Sequence, residues 1–290
     1  MKINKLFLLP LLLSICAASV FSQDGSSSGI AMAPARVEME MQPGTETTFV
    51  VNLDYRSAAG GAAKPARIVA SLNDWSITPD GRVEFYKAGT QPGSASRWVI
   101  YSPAETTVSP GSVHSIRVTI SVPPDAAPGD HLAALIVEER PDSIKLNRNE
   151  RQVVVRYRMA SIFYVKVGKL SRRGSLENLR AEISPKGILV TPTLKNEGNS
   201  ALRPTASLKI LDSKGNPAAE LSEIEALPVL GNSVLSQATL LEKELPPGVY
   251  TVKYRVDFQD GSRPVEGVTD LTVKDTGRDR VNLASNKPAN

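Results

Sequence analysis

The sequence predicts an all-β protein made of two consecutive immunoglobulin-like β-sandwich domains, and three observations predict it. Helical periodicity, with apolar residues recurring about every three to four positions, is almost absent. Strict alternation recurs instead, as in Ser115 to Val122, where Ile116, Val118, Ile120 and Val122 alternate with Ser115, Arg117, Thr119 and Ser121. Such a run is a strand with one buried face. Turn dipeptides separate the runs: Pro43-Gly44, Asp80-Gly81, Pro110-Gly111, Pro128-Gly129, Lys186-Gly187, Lys214-Gly215, Pro247-Gly248 and Asp260-Gly261. Short β-rich runs between turns at this spacing mark antiparallel sandwiches and not βαβ units.

At the N-terminus, Lys2 and Lys5 flank the start of an apolar run from Leu6 to Ile15, which leads into a small-residue stretch from Cys16 to Ser22. Basic, apolar and small segments in that order predict a secretory signal peptide over 1–22, cleaved after Ser22, with a core too short to span a bilayer. Ile15 stands where a lipid-modified cysteine would require a small residue, so Cys16 reads as part of the signal. It is the only cysteine of the chain. The exported protein is therefore expected to have no disulfide, thiol chemistry or cysteine-ligated metal, and to owe its stability to hydrophobic cores.

Residues 23–290 suffice for two domains of about 100 to 150 residues each. After a flexible N-terminus at 23–29, the first domain is expected over 30–168. It includes the strand Thr48 to Tyr55, with Phe49, Val51, Leu53 and Tyr55 on one face. A polar hinge at 169–174 carries Lys169, Arg172 and Arg173, and the second domain follows over 175–274. Ala127 to His131 and Pro246 to Tyr250 lead into strands in a similar way, a weak internal repeat. The tail at 275–290 is polar and without alternation, and is expected to be disordered. No apolar stretch beyond the signal approaches the roughly 20 residues of a membrane helix, so no transmembrane segment is expected in the exported chain.

Composition and motifs argue against catalysis and nucleic-acid binding. Without Lys2 and Lys5 the formal charge falls from +4 to about +2, and the basic residues are scattered, which supplies no electrostatic footprint for nucleic acid. The two imidazoles, His114 and His131, stand at the starts of predicted strands, where surface histidines beside turns are commonplace. Glu138-Glu139 and the run Glu220 to Glu225 read as solvated strand ends and loop charges. Gly60-Gly61 lies in an Ala-rich loop and precedes no helix, so it is no phosphate cradle. Trp75 and Trp98 are expected to anchor the core of the first domain rather than stack a ligand. Taken together, no enzyme, no metal and no cofactor is expected.

Several segments carry a family resemblance. An early Ala35-Arg36-Val37 strand is followed by a Pro-Gly turn and an alternating strand. Further on come Ser102-Pro103, the IRVTISVP strand at 116–123 and the ending RMASIFYV at 158–165. In these the chain resembles the periplasmic pilus-assembly chaperones (PapD-like), two-domain immunoglobulin-fold proteins. It is also similar to the WxL-protein-interacting surface proteins, through the segment around Asp74 to Val83 and the element Leu194 to Asn199. The first resemblance implies a periplasmic protein that assists assembly of pilus or surface-structure subunits by strand addition, with a pilin-like or surface-protein subunit as client. The second implies a scaffold component of a cell-surface assembly. Chaperones of this kind hold a client's terminal carboxylate with an arginine and a lysine; the arginine corresponds to Arg36, and Ser161 stands in the lysine's place.

The expected partner-binding residues are Arg36, Val153, Val155, Tyr157 and Met159. Over 152–159, Val153, Val155, Tyr157 and Met159 face one way, with Val154, Arg156 and Arg158 facing the other. The phase is expected to shift near Ala160-Ser161, before Phe163, Val165 and Val167, marking a bulge or a change of sheet. The segment 152–159 is expected to be an accessible sheet edge that binds a partner by strand addition, with main-chain pairing giving affinity and alternate side chains giving selectivity.

Overall fold

In the computed structural model, residues 29–56, 65–140 and 158–274 are described, and they form two β-sandwiches in series. The first contains β1 (Gly29–Ala33), β2 (Arg36–Met41), β3 (Glu46–Arg56), β4 (Ala66–Ile77), β5 (Val83–Lys87), β6 (Val99–Ser102), β7 (Glu105–Val108), β8 (Val113–Ser121), β9 (Gly129–Glu139) and β10 (Arg158–Val167). One sheet runs β1-β3-β8-β6; the other runs β2-β10-β9-β4-β5, with β7 also paired to β4. The alternation read from β8 holds, with Ile116, Val118 and Ile120 buried against Val51 and Leu53 of β3 and against Phe163 and Val165 of β10.

The second sandwich contains β11 (Gly174–Ser184), β12 (Gly187–Asn196), β13 (Thr205–Leu211), β14 (Pro217–Glu225), β15 (Ser233–Leu235), β16 (Thr239–Leu241), β17 (Gly248–Asp257) and β18 (Val265–Val273). Its sheets run β11-β12-β15, with β16 on β12, and β14-β13-β17-β18. Ile188, Val190 and Leu194 of β12 face Leu208 and Ile210 of β13 and Tyr250, Val252, Tyr254 and Val256 of β17 across its core. Among the described residues the helical content is one 3-10 turn, Ser96–Trp98, and no helix is long and apolar enough to cross a membrane.

The chain changes sheets between β1 and β2. β1 pairs antiparallel with β3, and after Pro34-Ala35 β2 pairs parallel with β10. A proline donates nothing to a ladder, so a break there costs neither sheet a hydrogen bond.

The two sandwiches meet on the outer face of the β2-β10-β9-β4-β5 sheet. Trp75, Ala134, Ile136 and Tyr164 of the first cluster with Leu230 and Ala201 of the second. Trp75 meets Tyr164 edge to face, with ring centroids 5.0 Å apart. It therefore anchors this junction rather than the core of the first sandwich, while half-buried Trp98 does pack on that core. Asn199 ties the junction. Its side chain accepts from Ser171 N at 2.7 Å and donates to the carbonyls of Pro128 and Lys169, each at 3.2 Å, and its own carbonyl accepts from Asp130 N at 2.9 Å. Gly129 makes that approach possible: a Cβ there would lie 2.9 Å from the Asn199 oxygen, at a φ of +134. Across the same junction Ala201 N donates to Asp130 Oδ2 at 2.7 Å, and Ser236 N to the Pro79 carbonyl at 2.6 Å.

Candidate functional site

Of the expected site residues, Met159 lies on β10 and Arg36 on β2, the strand paired with it. The pairing of β10 with β9 runs from Arg158↔Glu138 to Val167↔Gly129 without interruption. The phase shift and bulge expected near Ala160-Ser161 are therefore absent. Met159, Ser161, Phe163, Val165 and Val167 keep one phase, all on the core side. Ser161 breaks the apolar pattern without breaking the strand, because its hydroxyl, fully buried, donates to the Pro34 carbonyl at 2.6 Å. A buried hydroxyl with a partner is tolerated inside a core.

The other side of β10 is paired along only part of its length. β2 begins at Arg36, opposite Ile162, and covers β10 from there to Val167. Ile162 N donates to the Ala35 carbonyl at 2.9 Å, so the even-numbered residues of β10 direct their N–H and C=O groups away from β9. At Arg158 and Ala160 those groups meet no paired strand among the described residues. Among the described residues the result is a short free edge between the start of β10 and the start of β2.

Two of the expected residues flank this edge. Met159 is 37% exposed and lies opposite buried Val137, on the core face. Arg36 lies on the opposite, outer face, beside Ile162. Val153, Val155 and Tyr157 lie outside the described residues. Arg36 is not a free cation, because its Nε is 3.1 Å from Glu38 Oε1. Glu38 also receives Lys166 Nζ at 2.8 Å and is bonded by Arg203 of the second sandwich. The Arg203 guanidinium lies 5.3 Å above the Tyr164 ring, a cation over a ring face. Lys166, Arg172 and Arg203 line a cleft of about 160 Å3 at this junction, together with Phe258 and Gln259. Burial alone pushes the Glu38 carboxyl up, but hydrogen bonds and charge from Lys166 and Arg203 outweigh it and hold the group below its ordinary 4.5.

Glu38, Lys166 and Arg203 were not singled out by sequence reasoning. A signal existed for the first two: Glu38 and Glu40 interrupt the apolar positions of β2, and Lys166 interrupts those of β10, at places that parallel pairing brings side by side. Arg203 lies 165 positions from Glu38, and no local pattern reports so distant a pairing. Among the described residues no group of three or more His, Cys, Asp or Glu side chains could hold a metal. His131 stacks against Trp98 and its Nε2 is 2.8 Å from the Ala127 carbonyl, a contact that orders a turn.

No protein-family model matches the chain, and no curated protein sequence matches it. Solved structures are similar to it. One is the complex of the SafA pilin with the SafB chaperone of Salmonella enterica, at TM-score 0.42 and 12% identity over 84% of this chain and 97% of that one. Another is the CsuC-CsuE chaperone and tip adhesion subunit pre-assembly complex from Csu pili of Acinetobacter baumannii, at 0.40 and 16% over 84% and 99%. A third is the CupB2 chaperone of Pseudomonas aeruginosa, at 0.38 and 15% over 84% and 100%.

Proposed function

We propose that this is an exported, non-enzymatic, chaperone-like protein of the periplasm that binds a client subunit by accepting, along the free edge of β10, a strand of that client. The observation that carries the reading is the main chain at Arg158 and Ala160, unpaired on the side away from β9 among the described residues, just before Ile162, where β2 takes over the pairing. An unpaired edge is a standing template for another strand, so a protein that keeps one needs a partner or a cover for it. Strand addition supplies the partner, with main-chain hydrogen bonds for affinity. The client class, a pilin-like or surface-structure subunit, follows from the family resemblance of the sequence. The same reading assigns Val153, Val155 and Tyr157 to the contact together with Met159.

Ala160→Pro tests it. The Ala160 N–H points away from β9, so a proline there removes no hydrogen bond among the described residues but takes a donor from the edge and places a ring in the path of an added strand. Wild type and variant, matched for melting temperature, are used to capture partners from an envelope extract. A stoichiometric partner recovered by wild type and lost by the folded variant is the expected result. Equal recovery by both removes the edge from consideration. Val155→Glu with Tyr157→Glu should likewise give a folded protein that loses its partner; an unfolded product would place those side chains in the core.

A further inference from the structure

The cation cluster at the junction already contains an anion. Glu38, its side chain 25% exposed, is approached by Arg36, Lys166 and Arg203 at once. Lys166 is 14% exposed, a burial that its charge tolerates only with a counter-charge. Arg172 lines the same cleft and has no ion pair among the described residues. Three cations therefore contact one carboxylate, and Lys166 and Arg203 hold it below its ordinary 4.5. Ser161 brings no charge to this edge, and its buried hydroxyl is committed to the Pro34 carbonyl.

We infer that Glu38 is an internal ligand of the cluster that closes it to carboxylates from outside, so that a client is recognised along its main chain and not by a terminal carboxylate. An external carboxylate would have to compete with one that is held in place by the fold and present at high effective concentration. Displacing Glu38 would also leave it partly buried and unpaired, the costly way to break an ion pair. The statement about the client rests on the strand-acceptor reading above; the closed cluster does not.

The probes are N-acetylalanine, which carries a free carboxylate, and its uncharged amide, each titrated into the full exported chain and followed by amide chemical shifts. Wild type should show no saturable binding of either. Glu38→Ala should bind the acid at least about tenfold more tightly than wild type, a ratio equal to 1.4 kcal/mol, and should not bind the amide. Glu38→Gln keeps the side-chain volume without the charge and should move in the same direction if the alanine variant fails to fold. Adding Lys166→Ala to the opened variant should abolish the gain. Saturable binding of the acid by wild type, as tight as by Glu38→Ala, overturns the inference. So does failure of both folded Glu38 variants to bind it. The Ala160→Pro capture reads the strand edge separately, so either idea can fail alone.

Discussion

Asp74 shows how much structure one carboxylate can hold. It is 1% exposed, at the end of β4. It accepts from the main-chain N–H groups of Gly89, Thr90 and Gln91 at 3.1, 2.7 and 2.8 Å and from the hydroxyls of Ser94 and Ser96 at 2.5 and 2.6 Å. Burial pushes its carboxyl up, yet the hydroxyls and N–H groups together hold it below the ordinary 3.8. The unfolded chain therefore takes up this proton first as pH falls. The stabilisation is complete above about pH 5 and is lost as pH drops through the folded value. Glu38 acts in the same direction. Urea midpoints measured between neutral pH and about pH 3 should fall for wild type, and less steeply for Asp74→Asn. At neutral pH the Asp74→Ala variant should lose about 2–4 kcal/mol, because several donors are left buried without an acceptor. The sequence shows Asn73-Asp74-Trp75 closing an alternating strand, but nothing in it reveals that the loop 15 to 22 positions onward folds over the carboxylate.

At the scale of elements, alternation was the most legible signal because burial on one face repeats every second residue. β8, β12 and β17 all obey it. Within β8, Ile120 is fully buried, whereas Ile100 on the neighbouring edge strand β6 is 70% exposed. Ile120→Ala should cost about 2–5 kcal/mol in denaturant unfolding, and Ile100→Ala should stay within about 0.5 kcal/mol of wild type. Similar effects at both sites would contradict the assigned faces. The expected phase shift near Ala160-Ser161 is absent, and Ser161 sits on the core side in register with Phe163. A serine whose hydroxyl bonds a carbonyl within the same edge needs no bulge, and only the partner's position, 127 residues earlier, reveals this. Arg36 was singled out in the sequence only through the family resemblance, and its engagement with Glu38 depends on pairings the sequence does not display.

For the whole molecule, the junction decides how the sandwiches behave. Leu230 of the second sandwich is covered by Trp75 and Tyr164 of the first, and the segment 169–173 is bonded to 197–200 through Ser171, Lys169 and Arg173. Calorimetry should show one cooperative transition for wild type. Asn199→Ala removes the bonds to Ser171, Pro128 and Lys169 at once, and should lower the transition and split it in two. A second sandwich expressed alone over 170–275 should fold, as its own core contains Ile188, Leu208, Tyr254 and Phe258, while exposing Leu230. A single unshifted transition in Asn199→Ala would mean that the apolar contact alone couples the halves. The presence of two sandwiches was readable from turn spacing; their fastening by Asn199, Gly129 and Arg203 was not, since each contact joins residues far apart in the chain.

The measurement that bears most directly on the strand-acceptor edge is residue-resolved amide hydrogen exchange on the client-free protein. Met159 and Ser161 direct their N–H groups toward β9, and Ile162 bonds Ala35, so these three should be protected together with the rest of the sheet. Ala160, between them, should exchange orders of magnitude faster, and should gain protection only when a client strand is bound. An Ala160 amide as protected as that of Ile162 in the free protein would show that the edge is already occupied, and would contradict the proposed function.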